Sequence, residues 1–263
     1  MKKVLLVLVL GVVVSPAMAT PISYTENWDG YVSGSANRFL SPYSDAGNWP
    51  TTTGYTDRQP ILTTPVVSVP NSLMLDNGSS FGANIGITHE LGGVFAATAA
   101  NPIVVTWQMY LAVTAQRKTL DFYIDLALDD VTGGTMASPE AHNAVGVAQS
   151  VTVRGGTGSS RGQWYDGNTW RDTGAPTAAA WKTVTLTVTD TNFTVTWGDS
   201  GTFGGARVYL GNFDQINIRH PNVGNLGAAY LDDLSATGGE LVPEPATVAL
   251  LGLGLVFLRR RRA

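Results

Sequence analysis

From residue 20 to about residue 238 the chain alternates apolar and polar positions with a period of two, and no long stretch has helical period. Residues 183–189 read TVTLTVT, with Val184, Leu186 and Val188 on one side and the threonines on the other. Asp190, Thr191 and Asn192 supply a turn, and Phe193, Val195 and Trp197 then share one face of FTVTW. The pattern predicts a hairpin with one face buried and the other carpeted in threonine. A second hairpin is predicted where residues 163–165 (QWY) and 169–171 (TWR) flank Asp166-Gly167-Asn168, residue types that accept positive φ. Residues 118–129, KTLDFYIDLALD, send Leu120, Phe122, Ile124, Leu126 and Leu128 inward and Asp121, Tyr123, Asp125 and Asp129 outward. Residues 102–113, PIVVTWQMYLAV, are apolar on both faces, as in a central strand. Further strands are expected at 72–75, 85–90, 145–153, 215–219 and 228–236, with GGTGSSRG (155–162) as a flexible loop. About ten strands between Gly, Asn and Asp turns predict an all-β fold, an antiparallel two-sheet sandwich.

The two ends depart from this pattern. Lys2 and Lys3, an apolar run from Val4 to Val14 and the Ala17-Met18-Ala19 site form a secretory signal peptide over residues 1–19. The sandwich is then expected over residues 20–238, with a sorting segment at 243–263. There Pro243-Glu244-Pro245 precedes an apolar stretch from Ala246 to Leu258, broken by Gly252 and Gly254, and then Arg259, Arg260, Arg261 and Arg262. As a helix that stretch reaches about 20 Å, short of a hydrocarbon core of about 30 Å. The arginines favour the cytoplasmic side while the body is already exported. A short hydrophobic helix with a basic stop suits transient membrane insertion and processing better than a lasting anchor.

Tripeptide, short apolar helix and terminal arginine cluster, in that order, resemble the PEP-CTERM sorting signal. The resemblance covers only the last 21 residues or so. It implies an exported protein of a Gram-negative bacterium, handled by the secretion machinery and an exosortase, a membrane protease-transpeptidase. The expected destination is the cell envelope, the cell surface or an extracellular matrix rich in polysaccharide.

Composition fits export. Cysteine is absent, so no disulfide staples a body long enough to bury its own core. The chain has 16 Lys+Arg against 20 Asp+Glu. Six of the cations lie in the two end segments, so cleavage beyond Glu244 leaves ten against twenty. An acidic exported domain does not seek nucleic acid, and it tolerates calcium.

The body has a looser resemblance. YDGNTWRDTG (165–174) followed by WKTVTL (181–186), with TENWDGYVSG at the start and AAYLDDLSATGG at the end, is similar to concanavalin A-like, laminin-G-type jelly rolls. That resemblance implies either a carbohydrate-binding module or a laminarinase-type glycosidase. A retaining glycosidase needs two carboxyls about 5–5.5 Å apart. The five glutamates, Glu26, Glu90, Glu140, Glu240 and Glu244, lie too far apart to share a body strand. Asp121, Asp125 and Asp129 recur every fourth residue, about 13 Å apart in an extended strand. No thiol nucleophile or G-x-S-x-G elbow is present; His89, His142 and His220 are isolated in sequence, and His89 and His220 read as strand-end surface residues. A non-catalytic sandwich is therefore expected, with a glycan-processing enzyme or a purely structural surface protein as alternatives.

Two candidate sites follow. Asp121, Tyr123 and Asp125, with Gln108 and Tyr110 on a neighbouring strand and Trp164 and Trp170 extending them, would make a polar-aromatic surface for extracellular polysaccharide. Trp107 and Trp197 are expected in the core instead. Glu26 and Asp29 in the first strand and Asp232 and Asp233 in the last are candidate ligands of a structural Ca2+, the only cofactor expected. Strict alternation puts Asp232 and Asp233 on opposite faces, with at most one turned inward.

Overall fold

The computed structural model describes residues 20–28, 61–62, 72–76, 85–111, 120–125, 151–157, 161–165, 169–176, 180–198, 201–207, 211–220 and 228–243. Among them, strands form two antiparallel sheets. In the eight-stranded sheet the order is β12 (Thr202–Ala206), β11 (Asn192–Trp197), β10 (Lys182–Val188), β5 (Ile103–Leu111), β14 (Ala228–Gly238), β3 (Ser72–Asp76) and β2 (Ile61–Leu62). The eighth strand, β1 (Ile22–Glu26), pairs the second half of β14, while β3 pairs the first half. The seven-stranded sheet runs β15 (Glu240–Leu241), β4 (Ile85–Ala96), β13 (Phe213–His220), β6 (Leu120–Asp125), β7 (Val151–Thr157), β8 (Arg161–Tyr165) and β9 (Trp170–Pro176). This is the two-sheet sandwich that the alternation predicts, of the jelly-roll type that the resemblance of the body implies.

The period-two pattern sets which side chains meet. Val184 is in register with Trp107 on one side and Trp197 on the other, and all three are fully buried. The next inward layer is Val105, Leu186 and Val195, and the next is Ile103, Val188 and Phe193. From the opposite sheet come Phe213, Ile216 and Ile218, also buried. Trp164 meets Phe193 edge-on across the sandwich at 5.4 Å. Fully burying one such aliphatic side chain is worth about 1.5–3 kcal/mol, so each position in these layers stabilises the fold on that scale.

Local chemistry closes the β10–β11 hairpin. The Thr189 N–H donates to the Asn192 carbonyl at 2.8 Å, and the Asn192 N–H donates back to the Thr189 hydroxyl at 3.1 Å. Arg207, itself buried, fixes that end: Nη1 donates to the Thr189 and Asp190 carbonyls at 2.6 and 3.3 Å, and Nη2 to the Gly211 carbonyl at 2.6 Å. Its guanidinium also lies over the Phe213 ring.

Several expectations are corrected. His89 is not a surface residue: it is 4% exposed and stacks on Tyr24 with ring centroids 3.8 Å apart, tying β4 to β1 across the sandwich. Residues 155–157 and 161–162 are not loop, because β7 and β8 extend into that stretch and pair Gly155 with Gly162. The alternation of β14 is interrupted. Asp232 faces Gln108 and Ser235 faces Thr106, so Asp233 and Leu234 together oppose Trp107 as a β-bulge, with Asp233 at φ 47°. There the strand changes partner from β3 to β1. His142 and the apolar stretch from Ala246 to Leu258 lie outside the described residues, as do residues 1–19. Among the described residues no helix is long and apolar enough to cross a membrane.

Candidate ligand-binding face

The outer face of the eight-stranded sheet is built by the residues that alternate with the core layers. Register aligns them in rows that run across the strands. The first row is aromatic. Tyr230 on β14 is in register with Tyr110 on β5, ring centroids 5.9 Å apart and planes at 70°. Lys182 is in register with Met109, so Trp181, one residue earlier, continues the row beside Tyr110 at 5.6 Å and 49°. All three rings are half-buried. Part of each ring therefore stays accessible to a ligand.

The second row is Asp232, Gln108 and Thr183. Gln108 Nε2 donates to the Thr183 hydroxyl at 2.9 Å, and that hydroxyl donates back to Gln108 Oε1 at 3.1 Å. This clasp fixes the amide and leaves Oε1 one more lone pair and Nε2 one more N–H. Asp232 is fully buried, its Oδ1 accepting the Asp233 N–H at 2.9 Å.

The third row contains only hydroxyls: Thr25, Ser235, Thr106, Thr185, Thr196 and Thr202, on six successive strands. Thr106 and Thr185 hydrogen-bond at 3.2 Å, and Thr196 and Thr202 at 3.0 Å. A fourth row, Ser23, Thr237, Val104, Thr187, Thr194 and Gly204, mixes hydroxyls with a valine and a glycine. Neither of these two rows contains a charged residue.

Of the residues expected to form one binding surface, the structure brings only Gln108 and Tyr110 to this face. Asp121, Tyr123 and Asp125 belong to β6, in the other sheet, where register pairs them with Arg219, Asn217 and Gln215. The composite with β5 therefore does not assemble, because the two strands, though consecutive among the described strands, sit in opposite layers. The side chains of Asp121, Tyr123, Asp125 and Trp170 lie outside the described residues; Trp170 is in register with Tyr165 at the sheet edge. Trp164 is turned toward Phe193 and the core rather than outward. Trp181, Tyr230 and the hydroxyl rows were missed. Their residue types were visible, but their alignment depends on pairings far apart in sequence.

The expected neighbour relation between first and last strands does hold: Glu26 is in register with Leu234. A cleft of ≈ 330 Å³ at that junction is lined by Thr25, Glu26, Asn27, Asp233, Leu234 and Ser235. Glu26 accepts the Trp28 N–H at 2.8 Å on Oε1 and the Tyr24 hydroxyl at 3.4 Å on Oε2. Of the four calcium candidates, Glu26 and Asp233 line the cleft, Asp232 is buried in the bulge, and Asp29 lies outside the described residues. Among the described residues, no group of three or more His, Cys, Asp or Glu is placed to hold a metal.

Fold and termini together define the class: a two-sheet jelly-roll sandwich carried on an exported chain with a C-terminal sorting segment. Residues 241–262 match the PEP-CTERM protein-sorting motif, so the chain is exported, processed by an exosortase and sorted to the cell envelope of a Gram-negative bacterium. Pro243, exposed, follows β15; Glu244, Pro245 and the arginine cluster lie outside the described residues.

Solved structures are similar to the body at low identity. A sialidase is 12% identical with a TM-score of 0.52 over 82% of this chain, which spans only 18% of the sialidase. A carbohydrate esterase from the Shiga toxin-encoding bacteriophage phi24B is 9% identical, with a TM-score of 0.53 over 84% of this chain and 100% of the esterase. Lectin II from Ulex europaeus is 10% identical, with a TM-score of 0.51 over 82% and 98%. At these identities the likeness shows the fold alone. No curated protein matches the sequence.

Proposed function

We propose that this exported sandwich is a non-catalytic binding module, with the outer face of its eight-stranded sheet contacting extracellular polysaccharide. The observation that carries the reading is the row of half-buried rings, Tyr230, Tyr110 and Trp181, set beside the clasped Gln108 amide. Sugars offer C–H faces to rings and hydroxyls to amides, and here the two kinds of partner are neighbours in register. By register the face carries two aspartates among the described residues: Asp232, which is buried, and Asp76 on β3, opposite Ala228 and so four residues along from Asp232, about 13 Å. A retaining acid–nucleophile pair needs its carboxyls about 5–5.5 Å apart, and this wider spacing favours binding over glycosidic cleavage.

The test is binding of the exported domain to a glycan array, with Tyr110→Ala and Trp181→Ala alongside. Loss of signal in both variants supports the reading. Release of reducing ends or acyl groups from any glycan, abolished by one carboxylate substitution, would replace it with an enzyme. Abundant incorporation into the matrix with no glycan bound by the wild type would leave a purely structural surface protein. The sorting step has its own test: Arg259 to Arg262 changed to serine should block processing and hold the protein in the membrane. A structural calcium in the cleft between Glu26 and Asp233 is part of the same reading. A chelator should then lower the melting temperature, because an ion that binds only the folded state stabilises it.

A further inference from the structure

The hydroxyl rows are left over once the aromatic row has been assigned. From the third row we infer a second polysaccharide track on the same face, parallel to the aromatic row and about 13 Å from it, four residues away along β5 (Tyr110 to Thr106) and β10 (Trp181 to Thr185) and five along the bulged β14 (Tyr230 to Ser235). The proposal rests on the reading of the face as a glycan-binding surface. It adds that the protein holds two neighbouring chain segments and so bridges them.

Geometry argues for a chain lying across the strands. Thr25, Ser235, Thr106, Thr185, Thr196 and Thr202 occupy successive strands, so their hydroxyls recur at the strand spacing, about 4.8 Å, over about 24 Å. That repeat is close to the length of one pyranose residue in an extended chain, which gives one hydroxyl per sugar. The bonds from Thr106 to Thr185 and from Thr196 to Thr202 each use one proton of a pair, leaving the other proton and spare lone pairs for a ligand. Thr25, Thr196 and Thr202 are exposed, and Ser235, Thr106 and Thr185 are half-buried.

Charge and twist narrow the ligand. The row has no charged residue, and the exported body has twice as many acidic as basic side chains, so a polyanionic chain is repelled and an uncharged one is not. Neighbouring strands rotate by about 20–25°, which accumulates to more than about 100° across six strands. A planar lattice, whether ice or a crystalline polymer, therefore meets only part of the row. A single flexible chain can follow all of it. Each hydroxyl exchange with water gains little alone, so the track needs most of its six contacts at once and should ignore short oligomers.

The experiment follows threonine methyl and tryptophan indole NMR signals of the whole exported domain, titrated with neutral gluco-, manno- and galacto-oligosaccharides of two to eight residues. The expected result is that trimers move the Trp181 indole alone, and hexamers also move the Thr106, Thr185 and Thr196 methyls. Thr185→Val with Thr196→Val keeps shape and β-branching, and it should weaken hexamer binding at the track about tenfold while leaving the Trp181 response intact. Tyr110→Ala should do the reverse. If Trp181 responds and the threonine methyls stay still at every length, the track is lost and the aromatic site stands. If nothing moves for any oligomer, both readings fall. Adsorption to ice or crystalline cellulose that depends on Thr196 would replace the track with a planar partner.

Discussion

The same three strands, β5, β10 and β11, present two faces that could hardly differ more. Inside, Trp107, Val184 and Trp197 close-pack in one layer with no solvent exposure. Outside, one residue further along each strand, are Gln108 and Thr183, then Thr106, Thr185 and Thr196. The inner face is governed by volume, and its worth is read in kcal/mol of folding. The outer face contributes little to folding and is governed by spacing: which ring or hydroxyl stands next to which. Stability and recognition therefore separate by single-residue parity, and substitutions should separate them as well.

The sharpest break is Trp107→Ala. It should cost about 3–5 kcal/mol by leaving a cavity under β10, seen as a large fall in the urea midpoint. A change below about 1 kcal/mol would show that the inner face is not the packed layer described. Next is Gly238→Ala, in the last turn of β14 before β15. Gly238 has φ 89°, and an added Cβ would collide with the Pro102 carbonyl, so a loss of about 1–3 kcal/mol is expected. Gly205 has open space where a Cβ would sit, so Gly205→Ala on the edge strand β12 of the same sheet should change the midpoint far less and serves as its control. Tyr110→Ala should cross from one category to the other: about 1 kcal/mol or less in stability, from lost cross-strand ring contacts, but most of the glycan binding. The smallest effect is expected from Thr196→Val, within about 0.5 kcal/mol of wild type, because an exposed β-branched residue replaces another. If Thr196→Val were as damaging to the fold as Trp107→Ala, the division between faces would be wrong.

Much of this was legible along the chain. TVTLTVT, the DTN turn and FTVTW declared a hairpin with one threonine face, because side chains in a strand alternate whatever the strand pairs with. PIVVTWQMYLAV declared a central strand, and β5 does lie between β10 and β14. β12 was not legible: TFGGA has two glycines and no alternation, and it becomes a strand because β11 offers it an edge. His89 looked like a polar residue at a strand end; only the approach of β1, from more than sixty residues away, buries it under Tyr24. The expected binding surface failed for a related reason. β5 and β6 are consecutive among the described strands but lie in opposite sheets, so Tyr110 and Tyr123 never become neighbours.

By itself the sequence determined what is local or carried by the termini: period-two strands, turn chemistry, parity of each side chain, export and the sorting segment. These depend on backbone geometry and on short signals read by other machinery. Only the tertiary structure decided which strands share a sheet, that β14 bulges at Asp233 and so keeps Asp232 and Ser235 on one face, and that Tyr230, Tyr110 and Trp181 stand in a row. The physical reason is that hydrogen-bond pairing between strands is nearly indifferent to side-chain identity. Partner choice is settled by burying all the apolar faces at once, and the outer face takes whatever alignment that solution imposes.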